Sequence, residues 1–459
     1  MSDARGPAAI GLFDGVLARG PVRHAVGDGA WLQAMLDFES ALARALARAG
    51  LIPADQAHTI DRACRPEDYD VAALGRAAAA IGNPAEPLVR ALTARVPGAA
   101  AGQVHRGATS QDVVDTAMMI VARDALDRLR VDLDGGGDAA AALADRHRTT
   151  LMAGRTLLQQ ALPVTFGLEA AGWLAGLDAA AATLDDVRAR GLAVQLGGAA
   201  GTLASLGHAG SRVLGFLAEE LDLPAPPLPW HTARTRVGVL AGALGVAAGA
   251  IGKAARDVIL LAQSEVAEVR EGGAGGGSST LPHKRNPVAA VSAVACAARA
   301  PGLVATLLAS AWPEHQRGAG PWQAEWRPLR DLFETVGSAA AWLRESLAHL
   351  EVDPARMRAN LDRSGGLLRA ERVTGALAPA LGRLPAHDLV TAAAAEAVGS
   401  GRPFADVLAA RADVRARLSP DEIGRLLDPA GYLGSTGVFI DRALAAHAVR
   451  RSPPGGGAP

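Results

Sequence analysis

Apolar side chains recur at helical spacing along most of the chain, and this restricts what it can fold into. Trp31, Met35, Phe38, Leu42 and Leu46 step along one face of a spiral, while Gln33, Asp37, Arg44 and Arg48 fall on others and Gly50 closes the segment. Apolar positions three and four apart line one side of a helix; a half-buried strand needs a period of two. Alanine dominates and β-branched residues are sparse. Seven Trp, seven Phe and two Tyr in 459 residues leave little of the material that packs on a pleated sheet. The expected fold class is all-α, with helix favoured over strand throughout.

Prolines and glycines divide this helical pattern. Pro53, Pro66, Asn83-Pro84 and Pro97-Gly98 cut the first hundred residues into short helices, and long helical patterns then run from near Asp112 to about Leu350. From Asp353-Pro354 the segments shorten again, with Pro379, Pro385, Pro403, Pro420 and Pro429 between them. The expected organisation is an N-terminal helical domain over 1–107, a central long-helix bundle over 108–350 and a C-terminal helical domain over 351–451, followed by a disordered tail over 452–459. Leu223 to Pro229 reads as a rigid connector, because its prolines cannot continue a helix. The apolar run Val237 to Gly252 stops at Lys253, short of the ~20 residues that span a bilayer, and is read as a buried core helix. Long helices rich in Ala and Gly would leave apolar stripes exposed in an isolated chain, so association of the bundle with further copies is expected.

Charge and cysteine content exclude several functions. With 46 Lys+Arg against 47 Asp+Glu there is no electrostatic footprint for nucleic acid or an anionic membrane. Cys64 and Cys296 match no metal or redox spacing, which fits a reducing cytoplasm. The N-terminus lacks a basic segment leading into an apolar stretch, so no export signal is visible. Walker A, His-Glu-x-x-His, Cys-x-x-Cys and Gly-x-Ser-x-Gly patterns are absent. Gly197-Gly198-Ala199-Ala200-Gly201 superficially resembles a dinucleotide fingerprint, but Leu196 stands where its first glycine belongs; it is read as a loop or a close helix contact.

Gly272 to Val288 (GGAGGGSSTLPHKRNPV) is the informative stretch. Its glycines forgo side-chain packing and carry a high entropic cost, so it reads as a mobile loop. Ser278 and Ser279 follow, then the cationic cluster His283, Lys284 and Arg285, then Asn286-Pro287, expected as N-cap and first-turn proline of the next helix. Backbone N–H groups, a helix N-terminus and Lys284 would converge on one anion. In such a setting Ser278 is a candidate general base, while Lys284 and Asn286 would stabilise the aci-carboxylate formed when the neighbouring carbon gains or loses a proton. The alternative is a glycine-rich linker followed by a capped helix.

The stretch GGSSTLPHKRNPV resembles the signature loop of the class II fumarase, aspartase and adenylosuccinate lyase superfamily, with Leu281 in place of a usual Met. Two more segments fit in the expected order. His105 to Thr116 (HRGATSQDVVDT) resembles the first conserved region, in which Thr109 and Ser110 would bind a substrate carboxylate. Read from the residues alone, Thr109-x-x-Asp112 is a capping box opening a long helix, and a structural role is favoured for Asp112 and Asp115. Gly154 to Gly167 (GRTLLQQALPVTFG) resembles the second region, where Arg155, Thr156, Gln159 and Gln160 are the implied substrate contacts; a solvated helix face is the other reading.

The second region also carries a departure. Lyases of this superfamily that release amines generally have His after the Arg-Thr pair, as acid for the leaving group; this chain has Leu157. A leucine transfers no proton, so the departure favours a leaving group that is already a stable anion. That points to the cycloisomerase branch, in which the substrate's own carboxylate, ionised at neutral pH, adds to a double bond of 3-carboxy-cis,cis-muconate. Met35 to Glu39, Gly82-Asn83, Pro229 to Thr232 with Arg234 and Arg236, Pro313 to His315, Ala324 to Trp326, and Leu427 to Pro429 with Tyr432 to Gly434 resemble that branch as well. Members of the branch have Trp where Leu157 stands.

The resemblance implies a small polycarboxylate substrate, with Ser278, Lys284 and Asn286 catalytic and Ser279, His283, Arg285 and Asn83 joining the binding set. It implies no metal or organic cofactor, and a homotetramer whose active sites are each assembled from three subunits. Two other functions stay open at this point. One is β-elimination from a succinyl-type substrate, such as loss of nitrite from nitrosuccinate or an adenylosuccinate-like reaction; the other is a non-catalytic structural role, as in some lens crystallins. Trp312, Trp322 and Trp326 are read as packing anchors. His231 adjoins arginines and is open to either a structural or a functional role.

Overall fold

The protein is described here from a computed structural model, which covers residues 11–272, 277, 281 and 284–452. Helices dominate it, as the spacing predicts. Five of them have 21 residues or more: α1 (Asp28–Arg48), α2 (Ser110–Arg146), α3 (Phe166–Asp186), α4 (Thr235–Leu261) and α5 (Pro321–Ala348). The chain forms two compact units, one from residues 11–134, 179–253 and 291–343, the other from 135–178, 254–290 and 344–452.

In the first unit the stripe read from the sequence is buried: Met35, Phe38, Leu42 and Leu46 lie inside, each removal from water being worth roughly 1.5–3 kcal/mol. α1 packs against the helices Ala54–Ala63 and Gly210–Leu221. It ends just before Gly50, whose φ of 76° is open to glycine without a Cβ clash. The apolar run over 237–252 is not fully buried, which corrects that expectation. Val239 and Val246, seven residues and two turns apart on α4, are 58% and 53% exposed. Helical stretches Thr235–Leu261 and Val288–Ala309 are each long and apolar enough to cross a membrane, with 50% and 39% of their most apolar windows buried. The helix is longer than the uncharged run because it continues through Lys253 to Leu261.

The second unit contains the strands, a local departure from helix throughout. β1 (Leu151–Thr156) pairs antiparallel with β2 (Gln159–Thr165), and β3 (Val269–Glu271) with β4 (Leu350–Val352). Thr156, Val164 and Thr165 favour extended backbone and Pro163 denies a helix its N–H. Thr156 faces Gln159, so Leu157 and Leu158 form a two-residue turn; both have positive φ, 52° and 63°, as a type I′ turn demands. A separate apolar cluster joins Val373, Leu377, Val390, Phe404, Val407 and Ile423. The last helix, Thr436–Arg451, is tied down by His447, whose Nδ1 lies 3.0 Å from Asp178 and whose Nε2 lies 3.0 Å from Asp138.

Phe166 stands edge-on between His147 and Trp173 and fixes the start of α3. Beside it Gly167 has no room for a side chain: a Cβ would lie 2.6 Å from the Ala144 carbonyl oxygen and 2.8 Å from that of His147. Both obstacles are backbone, so neither can rotate away. Gly167→Ala is expected to lower stability by about 1–3 kcal/mol, measured by urea denaturation with an unchanged m-value. Residues 453–459 of the expected disordered tail lie outside the described residues.

Candidate active site

The first matched segment opens α2. The Asp112 carboxylate, fully buried, accepts from the Thr109 N–H at 3.0 Å, which is half of the capping box expected from Thr109-x-x-Asp112. It also accepts from Gly197 N–H at 3.0 Å and Gly198 N–H at 2.9 Å, and sits 2.6 Å from His231 Nε2. The glycine pair is thus a close backbone contact. A Cβ on Gly197 would lie 2.7 Å from His231 Cε1, and one on Gly198 would lie 2.9 Å from the Gly107 oxygen. Thr109 and Ser110 stand half-buried at this helix start, and Arg317 closes the other side by donating to the Gly198 oxygen at 2.7 Å.

One turn further along, Asp115 accepts from Arg234 at 2.6 and 3.0 Å and from the Trp322 indole N–H at 3.0 Å. Arg234 also donates to Glu325, and all three charged side chains are fully buried. Burial works against the Arg234 charge, but Asp115 and Glu325 outweigh it and raise the pKa; burial raises that of Glu325 despite Arg234. Trp322 packs edge-on against Trp326, so it is an anchor with a polar duty as well.

Glu39 and His105 were not singled out by residue pattern. Glu39 lies inside the apolar face of α1, 1% exposed, with Oε1 2.6 Å from His105 Nδ1. A carboxylate interrupting an otherwise apolar helical face was the available signal. Burial disfavours the His105 charge, yet the Glu39 charge and hydrogen bond, with Asp112 adding, raise its pKa. Asn83 uses its side-chain oxygen to accept from the N–H groups of Ala85 and Glu86 at 3.1 and 3.2 Å, opening helix Ala85–Arg95.

The second matched segment is the β1–β2 hairpin, so its polar residues do not lie on a helix face. Arg155 is held by the buried Glu268 through two hydrogen bonds of 2.9 and 2.7 Å. Asn360 Nδ2 donates to Glu268 at 2.9 Å, and Gln160 donates to the Asn360 carbonyl at 3.0 Å. This anchored base presents Thr156, Leu157, Leu158 and Gln159 to the outside, with Leu157 96% and Leu158 72% exposed.

In the third segment Lys284 and Arg285 are exposed and Asn286 half-buried; Gly277 and Arg285 form an isolated bridge. Ser278, Ser279 and His283, and most of the glycine run read as mobile, lie outside the described residues. The capping expectation is corrected: the helix starts at Val288, and its Ala289 and Ala290 N–H groups donate to Glu271 at 3.0 and 2.8 Å. Asn286 contributes its backbone oxygen to Val288 N–H instead. A full carboxylate charge at a helix N-terminus is a stronger partner than an amide oxygen, and it occupies the amides expected for an anion.

Residues 19–302 match the lyase family, and residues 366–443 match the adenylosuccinate lyase C-terminus. The chain belongs to the lyase family. The superfamily resemblance carried by the three segments therefore holds, together with the all-α fold class, and the protein is an enzyme of this superfamily. Among its lyase-family relatives, 3-carboxy-cis,cis-muconate cycloisomerase of Bradyrhizobium diazoefficiens is 49% identical over 449 residues, covering 97% of this chain and 99% of that one. Nitrosuccinate lyase of Streptomyces davaonensis is 45% identical over 447 residues, covering 95% and 94%. The crystal structure of 3-carboxy-cis,cis-muconate lactonizing enzyme from Pseudomonas putida superimposes with a TM-score of 0.90 at 44% identity, covering 96% of this chain and all of that one.

Proposed function

We propose that this lyase-family enzyme converts 3-carboxy-cis,cis-muconate to a carboxymuconolactone, a step of protocatechuate catabolism in the cytoplasm. The observation that carries the reading is Leu157 at the tip of the anchored hairpin, directly after Arg155 and Thr156. No proton donor stands there for a basic leaving group, and lactonisation needs none. The substrate carboxylate forms the new C–O bond; the electrons of the double bond move to the carbon next to another carboxylate, which takes a proton. The Ser278 hydroxyl supplies that proton and is reprotonated from solvent, while Lys284 and Asn286 hold the transient negative charge. Thr109, Ser110, Asn83, Thr156, Gln159, Ser279, His283 and Arg285 bind the carboxylates. Arg155 and Gln160 complete this set from the hairpin base.

Near-full-length similarity to several cycloisomerases supports the substrate. The exposed apolar faces of Thr235–Leu261 and Val288–Ala309 support a homotetramer in which three copies complete each site, rather than a membrane partner. Our division into domains over 1–107, 108–350 and 351–451 belongs to the same reading.

A second reading is loss of nitrite from nitrosuccinate, favoured by the 45% identical lyase and by the same leucine, since nitrite leaves as an anion. One assay separates them. Purified enzyme with 3-carboxy-cis,cis-muconate is expected to bleach the conjugated-diene absorbance; fumarate and nitrite released from nitrosuccinate, with no bleaching, would replace the first reading by the second.

A further inference from the structure

We infer that the second unit binds a small tetrahedral oxyanion, phosphate or sulfate in size, at Arg369, where the turn before helix Ala370–Leu381 meets the loop over 427–431. The ion supplies the acceptors that the chain withholds from this guanidinium and ties the start of the helix to the loop. The inference is independent of the reaction catalysed.

The guanidinium itself is the first observation. Arg369 is only 5% exposed, and its Nε and Nη1 are sealed from water with no hydrogen-bond partner among the described residues. A charged donor buried without an acceptor weakens the fold. Its surroundings offer no compensation. A Cβ on Gly366 would lie 3.6 Å from Arg369 Nη2, 3.7 Å from Phe404 and 3.9 Å from Leu427, and both of these belong to the apolar cluster of this unit. Burial accordingly pushes the Arg369 pKa down, against the charges of Asp362 and Asp428. Neither carboxylate bonds it. Asp362 accepts from Arg358 at 2.7 Å, and Asp428 accepts from the Ala430 N–H at 3.1 Å. An apolar side chain would suit position 369 better, so the charge there calls for a partner from outside the chain.

The second observation is that the neighbourhood is cationic. Arg372, one turn further on, donates to the carbonyls of Arg425, Leu426 and Asp428 at 3.0, 3.3 and 3.1 Å, and its guanidinium lies 5.5 Å from the centre of the Tyr432 ring. All these partners are neutral. Two arginines thus border one loop, and neither is hydrogen-bonded to a carboxylate. Helix Ala370–Leu381 also starts without a side-chain cap, so its first-turn N–H groups and its dipole favour an anion on the same side. Glu371, the acidic residue of that turn, lies by the Tyr432 hydroxyl. Burial sets the size of the occupant: so little of Arg369 is open that a bare ion fits where a phosphate carried on a nucleotide or sugar does not. Arginine suits such an ion because its planar fork matches two oxygens at once.

The test is thermal unfolding of the intact chain in chloride buffer, with sodium phosphate compared against sodium chloride of equal ionic strength. Phosphate is expected to raise the wild-type Tm by several degrees and to saturate, as a ligand that binds only the folded state does. Arg369→Leu should lose that rise, while its Tm without phosphate equals or exceeds the wild-type value because leucine buries no charge. Arg369→Lys, a compact charge without the fork, should respond weakly. Calorimetry should count one more phosphate per chain in wild type than in Arg369→Leu, a difference that removes any ion held near Lys284. If Arg369→Leu fails to fold, Arg369→Gln takes its place in both measurements. A wild-type rise no larger than chloride gives overturns the inference, as does a rise kept in full by either variant. So does a folded Arg369→Leu chain that melts well below wild type without phosphate, since the guanidinium would then already have its partner within the protein.

Discussion

Ser278→Ala is expected to lower kcat for 3-carboxy-cis,cis-muconate by about 10²- to 10⁴-fold, the range set by loss of a positioned proton-transfer group. KM should change little. The hydroxyl helps only while the carbon is accepting its proton, so its loss raises the barrier without loosening the ground-state complex. Lys284→Met should act in the same direction by removing charge that stabilises the aci-carboxylate. The measurement is steady-state bleaching of the diene, with circular dichroism and tricarballylate binding as controls for fold and site. Turnover above a tenth of wild type in Ser278→Ala would move proton transfer to another residue.

The largest effect on stability is expected at Arg234. Arg234→Met leaves Asp115 and Glu325 facing each other, both fully buried and without their shared cation. Breaking a buried ion network from one side costs about 3–5 kcal/mol, because the two buried carboxylates lose their shared cation and neutral donors such as the Trp322 indole N–H to Asp115 do not replace its charge. Denaturant titration at pH 7 should read that loss. Acid should relieve it. Burial already raises the Glu325 pKa, so the folded variant takes up a proton there more readily than the unfolded chain, and its stability recovers as pH falls through that raised pKa. A loss below about 1 kcal/mol would show that water or rearrangement compensates the two carboxylates. Replacing all three side chains together by apolar ones should destabilise much less, which separates the network's desolvation from the packing of α2 and α5.

Features governed by near neighbours were legible in the sequence. The buried face of α1, its end near Gly50 and the opening of α2 at Thr109-x-x-Asp112 all follow from spacing within a few residues. So did the glycine pair at 197–198 as a close contact rather than a nucleotide loop. The signature loop identified the superfamily because its residues are nearly contiguous. Where local reading failed, a distant residue had intervened. Asn286 is a good N-cap by type, yet Glu271 reaches the same amides through the β3–β4 pair and displaces it. The segment over 151–165 reads as helix among helices, but pairing its two halves around Leu157–Leu158 satisfies the backbone better than a helix that Pro163 would break. Val239 and Val246 are apolar enough for any core; only the packing of α4 shows that they face outward.

By itself the sequence determined the helical class, the end of α1, the start of α2 and the superfamily, because periodicity, capping and a contiguous motif act over one or two turns. Tertiary structure alone decided which buried charges meet. Asp112 finds His231 119 residues later, Arg155 finds Glu268 113 residues later, and Glu39 finds His105 across 66. A charge must be desolvated beside its partner or not at all, and that choice is made when distant segments pack, which no local pattern records.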